Sequence, residues 1–231
     1  MATIGVAIVL DGCSDRSGDI AEDWRGRAMH PPGRCQIEIV ESNFRRVGEA
    51  RRMGCQLLLQ RWSDVETGSI WLATTDADSE VPQDWISAQL RMRREGSQVW
   101  IGPVAVRDWC GRTPGTSEAW RHQYQTECLP VHGANFGIDG ATYLEAGGFQ
   151  GLSTGEDRAL FDEVIALGAV IRHDPKIQVT TSGRREARAP CGFAHALTSI
   201  EATINPSVAD EGSSPLHEAY FRLLHTGWER I

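Results

Sequence analysis

Apolar runs and helical-period segments take turns along the first hundred residues. Ile4 to Leu10 is an unbroken apolar run that stops at Asp11-Gly12-Cys13-Ser14-Asp15, and a helical stretch follows from about Arg16 to Trp24. That order predicts a strand, a loop and a helix. Gln36 to Glu41 alternates apolar and polar positions as a second strand, and Val47 to Trp62 then carries Met53, Leu57, Leu58 and Trp62 at helical spacing. The third run, Ile70-Trp71-Leu72-Ala73-Thr74-Thr75, ends at Asp76 and Asp78, and the helix expected from Pro82 to Arg94 turns Trp85, Ile86, Leu90 and Met92 to one side. Strands alternating with helices predict an α/β domain with a mainly parallel sheet and right-handed crossovers, in the manner of a nucleotide-binding half-fold.

The later pattern is more broken. Val99 to Trp109 is apolar and β-branched again, and a polar helical segment spans about Ser117 to Cys128. His132-Gly133-Ala134-Asn135-Phe136-Gly137-Ile138 reads as a short strand among glycines, where backbone can approach a ligand closely. Helices are expected at Ala141 to Ala146 and Glu156 to Leu167, and short strands at Val170 to Arg172 and Ile177 to Thr181. A loop from Ser182 to Gly192 holds Arg184, Arg185 and Arg188, and Asn205 to Pro215 reads as a linker before a terminal helix at Leu216 to His225. One domain over 1–204, followed by a linker and helix over 205–231, is the expected organisation.

Composition narrows the function classes. At 231 residues, 41% hydrophobic and 23% charged, the chain has the makeup of one globular domain. No apolar stretch approaches the roughly 20 residues of a membrane span, and Ile4 to Leu10 has no basic leader ahead of it, so a cytoplasmic location is expected. A formal charge of −8 argues against nucleic acid as a partner. The six cysteines form no Cys-x-x-Cys pair and read as reduced thiols, not as a zinc site or a disulfide frame.

Asp76 and Asp78 are the most informative pair. In an open α/β sheet, ligands bind beyond the carboxyl ends of the strands, so acids there face a crevice. Carboxylate oxygens suit hard cations such as Mg²⁺ or Mn²⁺, which share their shell with substrate phosphates. The alternative is an ordinary acidic turn before a helix that starts at Pro82. A calcium loop counted from Asp76 would need Gly and Glu where Val81 and Ser87 stand, so it is excluded. Glu156 and Asp157, behind Thr154 and Gly155, have two readings as well: catalytic acids, or charges complementing a helix dipole.

The landmarks taken together resemble the family 2 glycosyltransferases of the GT-A fold. Four motifs stand in that family's order: Asp11-Gly12-Cys13-Ser14-Asp15; Gly48-Glu49-Ala50-Arg51-Arg52-Met53-Gly54; Thr75-Asp76-Ala77-Asp78; and Gly133-Ala134-Asn135 followed by Gly147-Gly148-Phe149 and Gly155-Glu156-Asp157. The resemblance implies a Rossmann-like mixed sheet flanked by helices. It also implies transfer of a sugar from a nucleotide-sugar donor to an acceptor hydroxyl, with inversion and with Mg²⁺ or Mn²⁺ as cofactor. By the same resemblance Asp11 meets the nucleotide base or ribose and Arg51 lies near the base. Asp76 faces ribose and metal, Asp78 is the principal metal ligand, and Asn135 lies by the donor sugar. Asp157 is the base with Glu156 beside it. The arginine loop has two readings of its own: a solvated surface loop, or a lid whose Arg184, Arg185 and Arg188 close on the donor phosphates.

Two departures from the family pattern stand out. Relatives carry a further strand, one wall of the base pocket, ahead of the one that starts here at Ile4, and many place a metal-binding His where this chain has Thr181-Ser182. His173, ahead of that strand, is a candidate replacement. The competing expectations are an inactive nucleotide-binding remnant of the fold and a metal-dependent phosphohydrolase. The acceptor, the donor sugar and the oligomeric state are not legible.

Overall fold

A computed structural model describes residues 3–28, 35–126, 131–186 and 192–205. Arg188, Cys128, Cys191, and the expected linker and terminal helix beyond Asn205 lie outside the described residues. Within one mixed α/β domain the chain gathers into two compact units: Met1–Ala105 with Val131–Thr181, and Val106–Pro130 with Ser182–Ile231.

The first unit carries most of the sheet. β1 (Ile4–Asp11) and β2 (Cys35–Ser42) pair in parallel, Ile4 opposite Cys35 and Asp11 opposite Ser42. α1 (Ser17–Ala28) connects towards β2. α2 (Val47–Arg61) lies on β1, with Gly54 against Val9 and Ala7 and the Trp62 ring against Gly5. β3 (Trp71–Thr74) is followed by α3 (Trp85–Arg94), β4 (Val99–Ile101) and β5 (Val104–Val106). The apolar stretch expected as one strand from Val99 is cut in two by Gly102-Pro103, because proline has no N–H to give a ladder.

β6 (Phe136–Asp139), α5 (Gly140–Glu145), α6 (Glu156–Ala166), β7 (Ile171–His173) and β8 (Val179–Thr181) complete this unit. The strand order is β3-β6-β4-β7, with a separate pair β5-β8. β6 runs antiparallel to both β3 and β4, and only β4 and β7 pair in parallel, so this sheet is mixed, as the family resemblance implies, and not mainly parallel as the strand–helix alternation alone predicts. Among the described residues no strand pairs with the second edge of β1 or of β3. The core lies under the mixed sheet: Val99, Trp100, Ile101, Phe136, Leu160, Phe161 and Val164 are fully buried.

The second unit is helical. α4 (Thr116–Thr126) packs on α7 (Phe193–Ile204), and Trp120 meets Trp109, Tyr124 and Phe193. Nothing in the sequence reading assigns α7, although Ala194, Leu197, Ile200 and Glu201 fall on one buried face at helical spacing. Arg112 and Glu201, both with fully buried side chains, form an ion pair at 2.8 Å inside this unit.

Candidate active site

The antiparallel register of β3 with β6 sets Thr74 opposite Phe136, so the carboxyl end of β3 and the start of β6 share one end of the sheet. Asp76 and Asp78 follow β3 in a turn closed by the Ser79 N–H on the Asp76 carbonyl at 3.0 Å. That turn is pinned to β8: Glu80 and Thr180 exchange backbone hydrogen bonds of 2.8 and 2.9 Å, and the Ser79 hydroxyl donates to Thr181 Oγ1 at 2.9 Å. A tight turn tied down on one side holds its acids in place, as an ion site requires.

Gly133, at the same end of the sheet, is the junction of the site. Its carbonyl accepts the Thr74 hydroxyl at 2.7 Å, and its N–H donates to Asp157 Oδ2 at 2.7 Å. A Cβ at this position would overlap the guanidinium of Arg51, so only glycine lets that group lie against the backbone. From there Arg51 reaches two acids at once: Nη1 donates to Glu156 and Nη2 to Asp76. The Arg51 and Glu156 side chains are 11% and 3% exposed, whereas Asp76 remains 39% exposed.

The rest of the Gly48-to-Gly54 motif explains how Arg51 gets there. A side chain at Gly48 would overlap the backbone of Gln150 and Leu152, whose carbonyl accepts the Gly48 N–H at 2.9 Å. The start of α2 is thereby fastened to the loop before α6, and Arg51, one turn further on, comes within reach of Glu156. The Asp11 carboxylate secures the same helix from the other side, accepting the N–H groups of Arg45 and Arg46 at 3.0 Å each and the Ser42 hydroxyl at 3.1 Å. It ties down Arg45 and Arg46, the two residues that lead into α2, and so fixes where that helix begins.

Each expected site residue among the described ones has definite surroundings in three dimensions. Arg51, expected near a base, is engaged by two acids. Glu156, expected beside the base, is buried; consecutive helix residues point about 100° apart, so Glu156 turns inward and the half-buried Asp157 turns towards Gly133. Asn135, expected by the donor sugar, is fully buried: it donates to the carbonyls of Pro103 and Ile177 at 2.7 and 3.0 Å and accepts from Trp85 Nε1 at 2.8 Å. Its side chain braces three segments. His173 ends β7 opposite Ile101. Arg184, in the second unit, donates from Nε to the Glu186 carbonyl at 3.2 Å, and its own carbonyl is taken by Arg112.

The residue that sequence reasoning missed is His132. Its Nε2 is buried, and burial lowers its pKa below the ordinary histidine value, against the opposite pull of Asp157 and Asp76 and with that of Arg51. Its place just ahead of Gly133 was the available signal.

Comparison with known proteins agrees with this geometry. The glycosyl transferase family 2 model matches residues 4–144. The chain belongs to that family. No curated protein matches it in sequence. Among solved structures it is similar to Staphylococcus aureus TarS 1-349 in complex with UDP, at 12% identity and a TM-score of 0.53 over 86% of this chain. It is also similar to the mannosyltransferase PcManGT of Pyrobaculum calidifontis in complex with GDP-Man and Mn²⁺, at 16% identity and a TM-score of 0.55 over 96% of this chain. The chain spans 55% of the TarS chain and 61% of the mannosyltransferase chain. These likenesses establish the GT-A-type fold of this family member. No helix among the described residues is long and apolar enough to cross a membrane.

The donor set can be tested for a cation on its own chemistry. Among the described residues no three His, Cys, Asp or Glu side chains gather as a closed metal cage. Asp76 and Asp78 offer oxygen only, two residues apart in a fixed turn, and Asp76 Oδ2 has no hydrogen-bond partner among the described residues. Two carboxylates with the remaining shell left to diphosphate and water fit Mg²⁺ or Mn²⁺, which are rarely caged by protein alone.

Proposed function

We propose that this chain is a nucleotide-sugar-dependent glycosyltransferase that transfers a sugar to an acceptor hydroxyl with inversion, using Asp76 and Asp78 to hold a divalent cation and Asp157 as general base. The observation that carries this reading is that Gly133 joins the strand end that carries Asp76 and Asp78 to the start of the helix that carries Asp157. The β3 end reaches it through Thr74, and the start of α6 reaches it through Asp157. A transfer with inversion needs a negatively charged leaving group on one side of the anomeric carbon and a proton acceptor on the other.

The acceptor oxygen bonds to the anomeric carbon as the carbon–oxygen bond to the diphosphate breaks. The hydroxyl proton passes to the Asp157 carboxylate, and the nucleoside diphosphate leaves with the bonding pair. The cation, when bound by Asp76 and Asp78, would act as a Lewis acid for the leaving diphosphate. Asp157 Oδ2, oriented by the Gly133 N–H, is held in one place for proton transfer. The complexes of the two similar structures, with UDP and with GDP-Man and Mn²⁺, are in keeping with a donor of this class.

A thermal-shift series with UDP or GDP, with and without Mn²⁺, tests the donor and metal together. Ligand at one hundred times its dissociation constant adds about 2.7 kcal/mol. For a domain of this size the melting temperature should rise roughly 5 to 10 °C, and Asp78→Asn should lose the rise. A mutant that responds to nucleotide and Mn²⁺ as the parent does would refute the assignment.

A further inference from the structure

Resting on the metal reading above, we propose that Arg51 is a positioning residue that competes with the divalent cation for Asp76, with Glu156 as its permanent anchor. One guanidinium joins two acids from distant parts of the chain, Asp76 behind β3 and Glu156 at the start of α6. The two bonds are unequal. The Glu156 carboxylate is 3% exposed and has no water to replace Arg51, while the Asp76 carboxylate is 39% exposed and can exchange one cationic partner for another. Ion pairs open to solvent are held weakly, and breaking a buried pair from one side leaves an uncompensated charge. Arg51 therefore gives up Asp76 and keeps Glu156.

Three further contacts set this up. Gly133 leaves room for the guanidinium against its backbone, and the same residue is fixed by Thr74 and Asp157, so Arg51 rests on a defined surface. The Gly48 junction fixes the helix that carries it. The Arg51 hydrogen bond to Asp76 goes to Oδ1, so Oδ2 offers a cation a first contact before Arg51 withdraws. Without a cation, Asp76 is then already partnered by the protein's own positive charge, and an incoming cation meets a positive group, which lowers its affinity until a diphosphate adds its negative charge. Glu156 is in this scheme the residue that keeps Arg51 in position, not an acid that touches substrate.

The test is Mn²⁺ binding to the empty protein, read from the loss of the free Mn²⁺ electron paramagnetic resonance signal, without nucleotide or turnover. Arg51→Met alone strands a buried carboxylate and can unfold the chain, so the deciding variant is Arg51→Met with Glu156→Gln, which removes both charges of the buried pair. This double variant should bind Mn²⁺ about 3- to 10-fold more tightly than the parent, and Arg51→Lys, which keeps the charge, should stay within about 2-fold of the parent. Unchanged, weaker or unmeasurable Mn²⁺ binding in a folded double variant overturns the proposal, as does equal tightening in Arg51→Lys. Asp78→Asn in the double-variant background separates the two ideas. If it leaves the tightened binding intact, the metal assignment fails, whereas tightening that Asp78→Asn abolishes upholds both.

Discussion

Among the described residues, two arginine–glutamate pairs have both side chains largely buried, and they differ in what surrounds them. In the second unit Arg112 and Glu201 are completely enclosed: Glu201 accepts from Arg112 at 2.8 Å, from the Thr113 N–H at 2.6 Å and from Arg185 at 3.3 Å. Arg112 spends its other donors on the Gly183 and Arg184 carbonyls and the Thr198 hydroxyl, so the pair has no capacity left for a ligand. In the first unit Arg51 and Glu156 are nearly as buried, but Arg51 also reaches Asp76, which faces solvent. The same two residue types form a closed brace in one place and the edge of an open site in the other. What separates them is whether every lone pair and N–H already has a protein partner.

The comparison breaks most visibly through catalysis. Asp157→Asn keeps one oxygen for the Gly133 N–H and should lower transfer about 10²- to 10⁴-fold. Its stability cost should stay near the 0.3 to 1 kcal/mol of a lost helix-start charge, roughly, and the variant should bind nucleotide and Mn²⁺ like the parent. Retention of more than a tenth of parental transfer, measured with a working acceptor, would mean that the base lies elsewhere. Neither member of the closed pair should behave this way.

Opening the closed pair should act on stability instead. Arg112→Met leaves Glu201 buried without its main partner, which costs about 3 to 5 kcal/mol. The melting temperature should fall by roughly 6 to 20 °C, while the Mn²⁺ affinity of the protein that remains folded stays the same. A melting temperature within a degree or two of the parent would show that the pair carries no such strain.

Acid should reveal the same pair. Burial alone would raise the Glu201 carboxyl, but the Thr113 N–H and the hydrogen bond and charge of Arg112, with Arg185, hold it below the ordinary glutamate value. The unfolded chain then takes up its proton first as pH falls, so stability is full above about pH 4.5, near the unfolded glutamate value, and drains away as pH drops towards the folded one. Denaturant midpoints of Glu201→Gln should fall less steeply than the parent's over that acid range. Parallel curves would remove Glu201 from the acid response. The smallest effect belongs to Arg185→Ala. Arg185 reaches the same Glu201 but is 49% exposed, so its loss should cost less than about 1 kcal/mol in urea unfolding.

The legible part of this protein was its local order. Ile4 to Leu10, Val47 to Trp62 and Ile70 to Asp76 carry their own pattern, and the structure places β1, α2 and β3 within one or two residues of those expectations. The acids at 76 and 78 could be placed beyond a strand end because an apolar run that stops in carboxylates has few other places to go. Asp11 was legible as a strand-tip acid, but not its work at the start of α2, since nothing in Asp11-Gly12 says that Arg45 and Arg46 will come back to it. α7 was missed because its boundary signals are weak, although its apolar spacing is helical.

Residue type and spacing thus determined the family, the order of elements and the neighbourhood of the strand-end acids, because these depend on contacts close in sequence. Partnership was decided only by the tertiary structure. Separations of 25 residues from Arg51 to Asp76 and 105 to Glu156 hide the ion pairs that join them. The mixed direction of the central sheet arises in the same way, since β6 is inserted between β3 and β4 by pairings that no local pattern encodes. Burial, too, is a property of the assembled fold: it encloses the Asn135 side chain among three segments and leaves Asp157 half-buried, because water is excluded by neighbours and not by the residue itself.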